Sequence, residues 1–572
     1  MVNILAVYPK SPIGYWSFDW ALKIAGRKSA FPPCSLLTIA GMLPDEYNIK
    51  ILDENVEELK DEHISQSDVV LTSSMVIHKN SLEKVIERCN ELKVPVISGG
   101  PLPTQYHERI KGFATHFLGE AEEGFDEVLE EVLREGYKPK NKLFDKRRKF
   151  SSLDKTPKQR FDLIKDHFKD YILMPIQTTR GCPEHCTFCN IPSLYGNKTR
   201  LKNEDRILEE LQFLYDLGWK ESIMIVDDNI VGNQEKIIPL LKKIEMWQKE
   251  NNYPFSFITQ GSLRMYDNPS LMEAMYRSGF DQVFFGLESP SPESLKFMGA
   301  QKNLQSKGNP DNKSMLEKIK HIQAKYFKAQ AGFILGFDTD PDDIVYLMKK
   351  FIQDSRISVA MVGPLGVLPD TPDWERYNKE GRLLEDIMYS SDTGVFNRQL
   401  SYIPMDKNGN NIDPNIILNR NREILEFINS PKAYFERTLE YIKNRERKPL
   451  SKGKIDFSKI KSIFRSFYYQ GIKSDYTKTY LKFLWRVIKN DFYDVPSALT
   501  YAAHGHHIIT VNQQSLKVDD VNLLLEEACS NKNSLAYNNL IDKAKSIYRG
   551  LLKEFKPQVK NRSLVEEEIA YN

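Results

Sequence analysis

Three of the six cysteines in this 572-residue chain fall within one short stretch, Gly181-Cys182-Pro183-Glu184-His185-Cys186-Thr187-Phe188-Cys189. Thiolates are the ordinary ligands of iron–sulfur clusters, and three of them on a four-iron cube would leave one iron open to another ligand. A structural zinc site is the competing reading, but it asks for four protein ligands and no fourth cysteine or second pair lies nearby. His185 is read as a loop residue rather than a ligand. Cys34, Cys89 and Cys529 are scattered, and each is expected as a small buried hydrophobe.

Such a loop needs a scaffold. A strand-like run at 172–178 precedes it, and runs at 223–226, 255–259, 282–287, 331–337 and 359–367 follow, separated by helical stretches such as 202–217 and 234–249. Six βα units suit a partial or complete parallel barrel, whose chemistry belongs at the carboxyl ends of its strands. Upstream, β-rich runs at 4–8, 49–53, 69–73, 94–98 and 116–119 also alternate with helical stretches, which implies a doubly wound, Rossmann-like parallel sheet. Ligands of such sheets sit at the strands' carboxyl ends, where Tyr8-Pro9, Ser73-Ser74, Gly99-Gly100-Pro101 and Gly119-Glu120 fall. The glycine pair either admits a ligand close to backbone or makes a tight turn.

A basic, aperiodic stretch between the two series (Lys138, Lys140, Lys142, Lys146, Arg147, Arg148, Lys149) is expected as a connector. Past about residue 400 the strand signal fades and helical periodicity takes over. The expected organisation is therefore α/β, with a Rossmann-like domain at 1–140, a linker at 141–165, a barrel at 166–400 and an α-helical domain at 401–572. In the last, Ile460, Ile463, Phe464 and Phe467, then Tyr476, Tyr480, Leu484, Val487 and Ile488, recur at helical spacing. Lysines and arginines crowd the same segment, with Asp475 the one acid. Two readings stay open: helices packed on the barrel with a wet basic side, or helices lying on an anionic lipid surface.

Lys plus Arg (80) nearly balance Asp plus Glu (78), which argues against a nucleic-acid partner held by bulk charge. The opening Met1-Val2-Asn3-Ile4-Leu5-Ala6-Val7-Tyr8 reads as a buried strand without the features of a signal peptide. No run of about 18 apolar residues occurs. The expected location is cytoplasmic, with any membrane contact peripheral to the inner face.

The spacing Cys-x3-Cys-x2-Cys, with Phe188 before the last cysteine, resembles the signature of the radical S-adenosylmethionine superfamily. Ile225-Val226-Asp227-Asp228-Asn229, Phe285-Gly286-Leu287-Glu288-Ser289-Pro290, Gly332-Phe333-Ile334-Leu335-Gly336 and Ala360-Met361-Val362-Gly363 are similar to one subgroup, the cobalamin-binding radical enzymes. It includes hopanoid C-2 methylases, bacteriochlorophyll side-chain methylases and archaeal tetraether-lipid ring synthases. Tyr15-Trp16-Ser17-Phe18 resembles its opening, and Gly505-His506-His507 its helical tail.

The resemblance implies Cys182, Cys186 and Cys189 as ligands of a 4Fe–4S cluster whose fourth iron takes the methionyl group of S-adenosylmethionine. It implies Phe188 packing on adenine, Asp227 and Asp228 near the methionyl ammonium, and Gln260, Ser262, Glu288 and Ser289 holding ribose and carboxylate. Structural capping by one of the aspartates competes with the first role, and a buried, satisfied Glu288 without ligand competes with the last. Cobalamin would lie on the Rossmann-like domain without an axial histidine, since Asp61-Glu62-His63 imitates the usual element poorly and is better read as a solvated helix end. Asn190 stands where Asp is usual, Cys34 where Leu is usual, and Asp370 where Gly is usual; Gln260-Gly261 replaces a Glu-Ala pair.

The implied function is radical C-methylation of an unactivated carbon on a hydrophobic, lipid-like or tetrapyrrole-like molecule, with an electron donor such as flavodoxin or ferredoxin. Ring formation or rearrangement without methyl transfer is one alternative. A non-catalytic cobalamin or iron–sulfur sensor is another.

Overall fold

A computed structural model describes all residues except 305–312, 385–398, 448–449, 451–456, 491–493, 531–535 and 553–572. The last stretch of the expected helical domain thus lies outside the described residues.

The first sheet contains β1 (Asn3–Tyr8), β2 (Asn48–Asp53), β3 (Val69–Ser73), β4 (Val96–Gly99), β5 (Thr115–Leu118) and β6 (Leu143–Asp145). Their order is β2-β1-β3-β4-β5-β6 and every pairing is parallel. Successive side chains of a strand face opposite sides, and β1 shows it: Ile4 and Ala6 pack with Leu36, Leu37 and Val128, whereas Leu5 and Val7 pack with Leu82, Val85 and Ile86. Both faces are covered by helices, as a doubly wound sheet requires. β6 corrects the expected linker at 141–165: this segment begins by adding a sixth strand, His116 to Leu118 pairing with Leu143 to Asp145. Three residues with exposed ends carry no apolar period, as is usual of an edge strand.

Two short antiparallel strands, β8 (Thr179–Arg180) and β9 (Arg200–Leu201), bracket the cysteine loop. The second large sheet holds β7 (Leu173–Ile176), β10 (Ser222–Ile225), β11 (Ser256–Gly261), β12 (Phe280–Glu288), β13 (Lys328–Leu335) and β14 (Val359–Pro364). It is wholly parallel in the order β14-β13-β12-β11-β10-β7. Six strands in chain order, open between the outer two, make a partial barrel. Along β13, Ala329, Ala331, Phe333 and Leu335 are buried while the alternating positions are only half-buried, so one side packs under helices and the other lines the interior.

The helical tail is fastened to the barrel by Arg437. Its fully buried guanidinium donates to the carbonyls of Ile357 (2.8 Å), Ser358 (3.0 Å) and Ile428, and burial without a carboxylate lowers its pKa to about 10. Among the described residues no helix is long and apolar enough to cross a membrane.

Candidate active site

The cysteine loop begins where β7 ends, and its backbone is held from several sides. Gly181 N donates to Asp228 Oδ2 (2.8 Å), Cys182 N to the Gly196 carbonyl (3.2 Å) and Thr187 N to the Met298 carbonyl (2.9 Å). Gly299, at φ +67°, passes so close that a Cβ there would lie 2.6 Å from the His185 carbonyl. Asn229 Nδ2 approaches Cys182 Sγ at 3.8 Å while its Oδ1 accepts from Ser262 N at 3.1 Å. These contacts fix the course of the loop.

Cys182, Cys186 and Cys189 all line one cavity of about 220 Å³ at the carboxyl end of the barrel, together with Phe188, Asp228, Asn229, Gln260, Ser262, Phe284, Glu288 and Lys302. Among the described residues no three His, Cys, Asp or Glu side chains converge as ligands of a single ion. A four-iron cube does not ask for convergence, because each thiolate binds a different iron. Burial pushes the thiols up, Cys186 to about 12 and Cys189 to about 11, with the Lys302 ammonium opposing the rise. A bound metal deprotonates such thiols outright.

The expected residues divide. Phe188, Asp228, Gln260, Ser262 and Glu288 reach the cavity. The Ser262 hydroxyl is buried without a partner among the described residues, an unmet donor in the cavity wall. Glu288 sits at φ +63° beyond a register shift in β12 and accepts from Lys302 Nζ at 3.1 Å. Asp227 is a correction: it is fully buried away from the cavity. Its oxygens accept from Thr178 N (2.7 Å), Thr179 N (2.8 Å) and both threonine hydroxyls. It caps the start of the cysteine loop, and burial raises its pKa to about 6. Ser289 likewise turns away from the cavity, its hydroxyl accepting from Ser291 N at 3.2 Å. Lys302 and Asn229 carry no assigned role in the sequence; Asn229 follows Asp228 after β10, and packing brings Lys302 in from the segment after β12. Trp16 was seen only as part of a resembling segment, yet its ring lies 5.3 Å from that of Phe284 in the cavity wall.

At the carboxyl edge of the first sheet, the Tyr8 ring meets His78 edge-on at 4.9 Å with Pro9 buried behind it, and Ser73 Oγ accepts from Ser35 Oγ at 2.8 Å. Gly99 ends β4 and Gly100, at φ +94°, opens the helix Pro101–Tyr106. A Cβ on Gly100 would lie 2.8 Å from Ser74 N, and one on Gly119 2.8 Å from the Lys146 carbonyl, so both glycines serve close packing of the chain on itself. The Glu120 carboxylate is held by Arg200 Nη1 (2.8 Å) and Arg180 Nη1 (3.2 Å). Three hydroxyls on this edge, Thr72, Ser74 and Ser98, are buried without partners among the described residues. They fit a polar cofactor's edge. His63, by contrast, accepts from Lys60 N at 3.3 Å beside Lys50 and Glu57, a solvated helix end.

The two sites adjoin. Asn190, next to Cys189, donates to Gln105 Oε1 on the first domain's helix at 2.9 Å, and Gln105 donates on to the Pro369 carbonyl at 3.4 Å. Asp370, where the resemblance expects glycine, has φ +58°, a left-handed conformation that glycine takes freely and Asp tolerates. A second cavity of about 480 Å³ lies at this junction, between Thr104, Asp145, Arg147 and Arg148 on one side and Ser193, Leu194 and Asp370 on the other.

A parallel partial barrel with a three-thiol loop at its first strand's carboxyl end, preceded by a doubly wound sheet, defines an enzyme class built around a thiolate-held metal cluster. Residues 176–363 match the radical SAM superfamily, and residues 371–519 match a domain of unknown function, DUF4070. An uncharacterized methyltransferase of Synechocystis sp. is 33% identical over 396 residues, 67% of this chain and 70% of that protein. The hopanoid C-2 methylase of Rhodopseudomonas palustris is 29% identical over 67% of this chain and 71% of its own. Bacteriochlorophyllide d C-12(1)-methyltransferase of Chlorobaculum tepidum is 25% identical over 60% and 76%. In fold, the chain is similar to the cobalamin-dependent S-adenosylmethionine radical enzyme OxsB, solved with aqua-cobalamin and S-adenosylmethionine (14% identity, TM-score 0.55, 96% of this chain and 84% of that one). This chain belongs to the radical S-adenosylmethionine superfamily and is an enzyme of it.

Proposed function

We propose that this enzyme is a cobalamin-dependent radical C-methylase acting on an unactivated carbon of a hydrophobic, lipid-like or tetrapyrrole-like molecule. The carrying observation is the junction itself: the cysteine loop that lines the cavity is tied to the helix at the carboxyl edge of the first sheet by the hydrogen bond from Asn190 to Gln105. Side chains tuned near neutrality cannot deprotonate an unactivated carbon. When bound, the 4Fe–4S cluster with S-adenosylmethionine supplies one-electron chemistry, and cobalamin a methyl carrier.

The chain's own residues then bind and orient. Cys182, Cys186 and Cys189 hold the cluster with one iron open. Asp228 takes the methionyl ammonium by a charge-assisted hydrogen bond. Lys302, positioned by Glu288, faces the methionyl carboxylate, the Ser262 hydroxyl and Gln260 take the ribose, and Phe188 packs on adenine. Thr72, Ser74 and Ser98 would offer hydroxyls to cobalamin. Phe284 and Trp16 give the substrate an aromatic wall. An electron donor of the flavodoxin or ferredoxin kind would reduce the cluster, and the enzyme would work in the cytoplasm, peripheral to the membrane's inner face.

The test uses anaerobically reconstituted protein with S-adenosylmethionine deuterated at the methyl group and a pentacyclic hopene or a bacteriochlorophyllide as probe. Methylation predicts a labelled product together with 5'-deoxyadenosine. 5'-Deoxyadenosine without labelled product transfers the assignment to ring formation or rearrangement.

A further inference from the structure

We infer that the helical pair Phe457–Gly471 and Thr477–Asn490 docks this protein on the surface of an anionic lipid bilayer. The first helix is turned inside out. Its protein-facing side is polar: Ser466 and Gln470 are buried, Gln470 Nε2 donates to Ser466 Oγ at 3.0 Å, and Ser462 Oγ donates to the Ala25 carbonyl at 3.3 Å. Its outer side carries Ile460, Phe464, Phe467 and Tyr468, spaced as one stripe, with Phe464 71% exposed. A helix of a globular protein facing water does the opposite.

The second helix carries two apolar stripes. Tyr480, Phe483, Leu484 and Val487 face the core, while Leu481, Trp485 and Ile488 face out, Trp485 being 60% exposed. Ile472, in the turn between the helices, is 74% exposed. Eight of the nineteen exposed large apolar residues of the described chain thus lie between 460 and 488, which makes a patch rather than scatter. Scattered exposed hydrophobes would need no explanation.

Charge selects the occupant. Residues 457–490 hold eight Lys and Arg against one acid, Asp475, in a chain of net charge +2. On the second helix Lys478, Lys482, Arg486 and Lys489 follow the outward apolar stripe around the helix, and Lys489 Nζ lies 5.3 Å from the Trp485 ring centre. Aromatic rings at the headgroup level with lysines beside them are the signature of an interfacial helix, and apolar burial plus a polybasic surface are two signals that reinforce each other. A second copy of the chain would set this cationic surface against itself. Neither helix, of 15 and 14 residues, is long and apolar enough to span, so they lie on the bilayer.

The docking does not depend on the proposed reaction; only its use, taking an apolar substrate from lipid, rests on that reading. The experiment is flotation of the full-length, cluster-loaded enzyme with vesicles of phosphatidylcholine alone and of phosphatidylcholine with phosphatidylglycerol. Wild type is expected to float with the anionic vesicles, roughly tenfold more weakly when they are neutral or in high salt. The double variant Phe464→Ser, Trp485→Ser, with unchanged circular dichroism and unchanged cleavage of S-adenosylmethionine, is expected to lose most of the flotation. Wild type that stays unbound, or a folded variant that floats equally, overturns the proposal. A dimer of the wild type that the double variant abolishes gives the patch to a second copy and overturns it too.

Discussion

Asp227 and Asp228 are neighbours in sequence with different work. Asp227 fastens the entry to the cysteine loop through Thr178 and Thr179, whereas Asp228 spends one oxygen on Gly181 N and still reaches the cavity. Asp228→Asn removes a charge-assisted hydrogen bond worth about 1.5–3 kcal/mol, so S-adenosylmethionine should bind about 10- to 100-fold more weakly in anaerobic calorimetry while cluster iron stays constant. Asp227→Asn should instead show itself in stability. The folded-state pKa of Asp227 is raised to about 6 from 3.8, so between those values the native state binds more protons than the unfolded one. Stability contributed by this group therefore falls as pH rises from about 4 to about 6, by up to about 3 kcal/mol. The cluster-free wild type should lose ground to the non-titrating variant across that interval and run parallel to it above, as chemical unfolding at each pH would reveal.

At the scale of one element, β12 shows how a strand end is aimed. The register against β13 shifts between Gly286 and Glu288, and such an irregularity re-aims a side chain. It turns Glu288 onto Lys302, and the pair occupies the space where Gly286 lacks a side chain: a Cβ there would fall on Glu288 Oε1 and 2.9 Å from Lys302 Nζ. Gly286→Ala should displace the pair and weaken S-adenosylmethionine binding at least roughly tenfold, the cost of one lost charged contact. Gly363→Ala on β14 is the control, because a Cβ there meets nothing within 4 Å. The comparison needs only binding isotherms and iron content for the two variants; equal losses from both would contradict the account of β12.

For the molecule as a whole, the seam between the sheets matters most. Arg180 joins Glu120 at 3.2 Å and Glu122 at 3.0 Å, and Arg200 shares Glu120. The carboxylates of Glu120 and Glu122 are almost wholly buried, with side chains 1% and 3% exposed. Removing Arg180 leaves the buried Glu122 carboxylate without its cation while Glu120 keeps Arg200, and breaking such a buried pair costs about 3–5 kcal/mol. Arg180→Met should therefore lower the unfolding midpoint in denaturant and open the seam near residues 141–165 to limited proteolysis. An unchanged midpoint would mean that the seam is held by packing alone.

What could be read along the chain is what local order encodes. The thiols of Cys182, Cys186 and Cys189 belong to one loop, so their spacing already announced a shared cavity. Alternation with helices likewise announced two parallel sheets, because covered strands must be apolar on both faces. The sequence did not separate Asp227 from Asp228, since adjacent residues at a strand end point apart and packing decides which faces the ligand. It could not supply Lys302, which reaches the cavity from the segment after β12, nor recognise β6, a short edge strand without apolar period. It announced the stripe on Phe457–Gly471 without saying which way it faced. An apolar stripe serves a protein core and a lipid surface alike, and only the burial of Ser466 and Gln470 on the opposite side turned it outward.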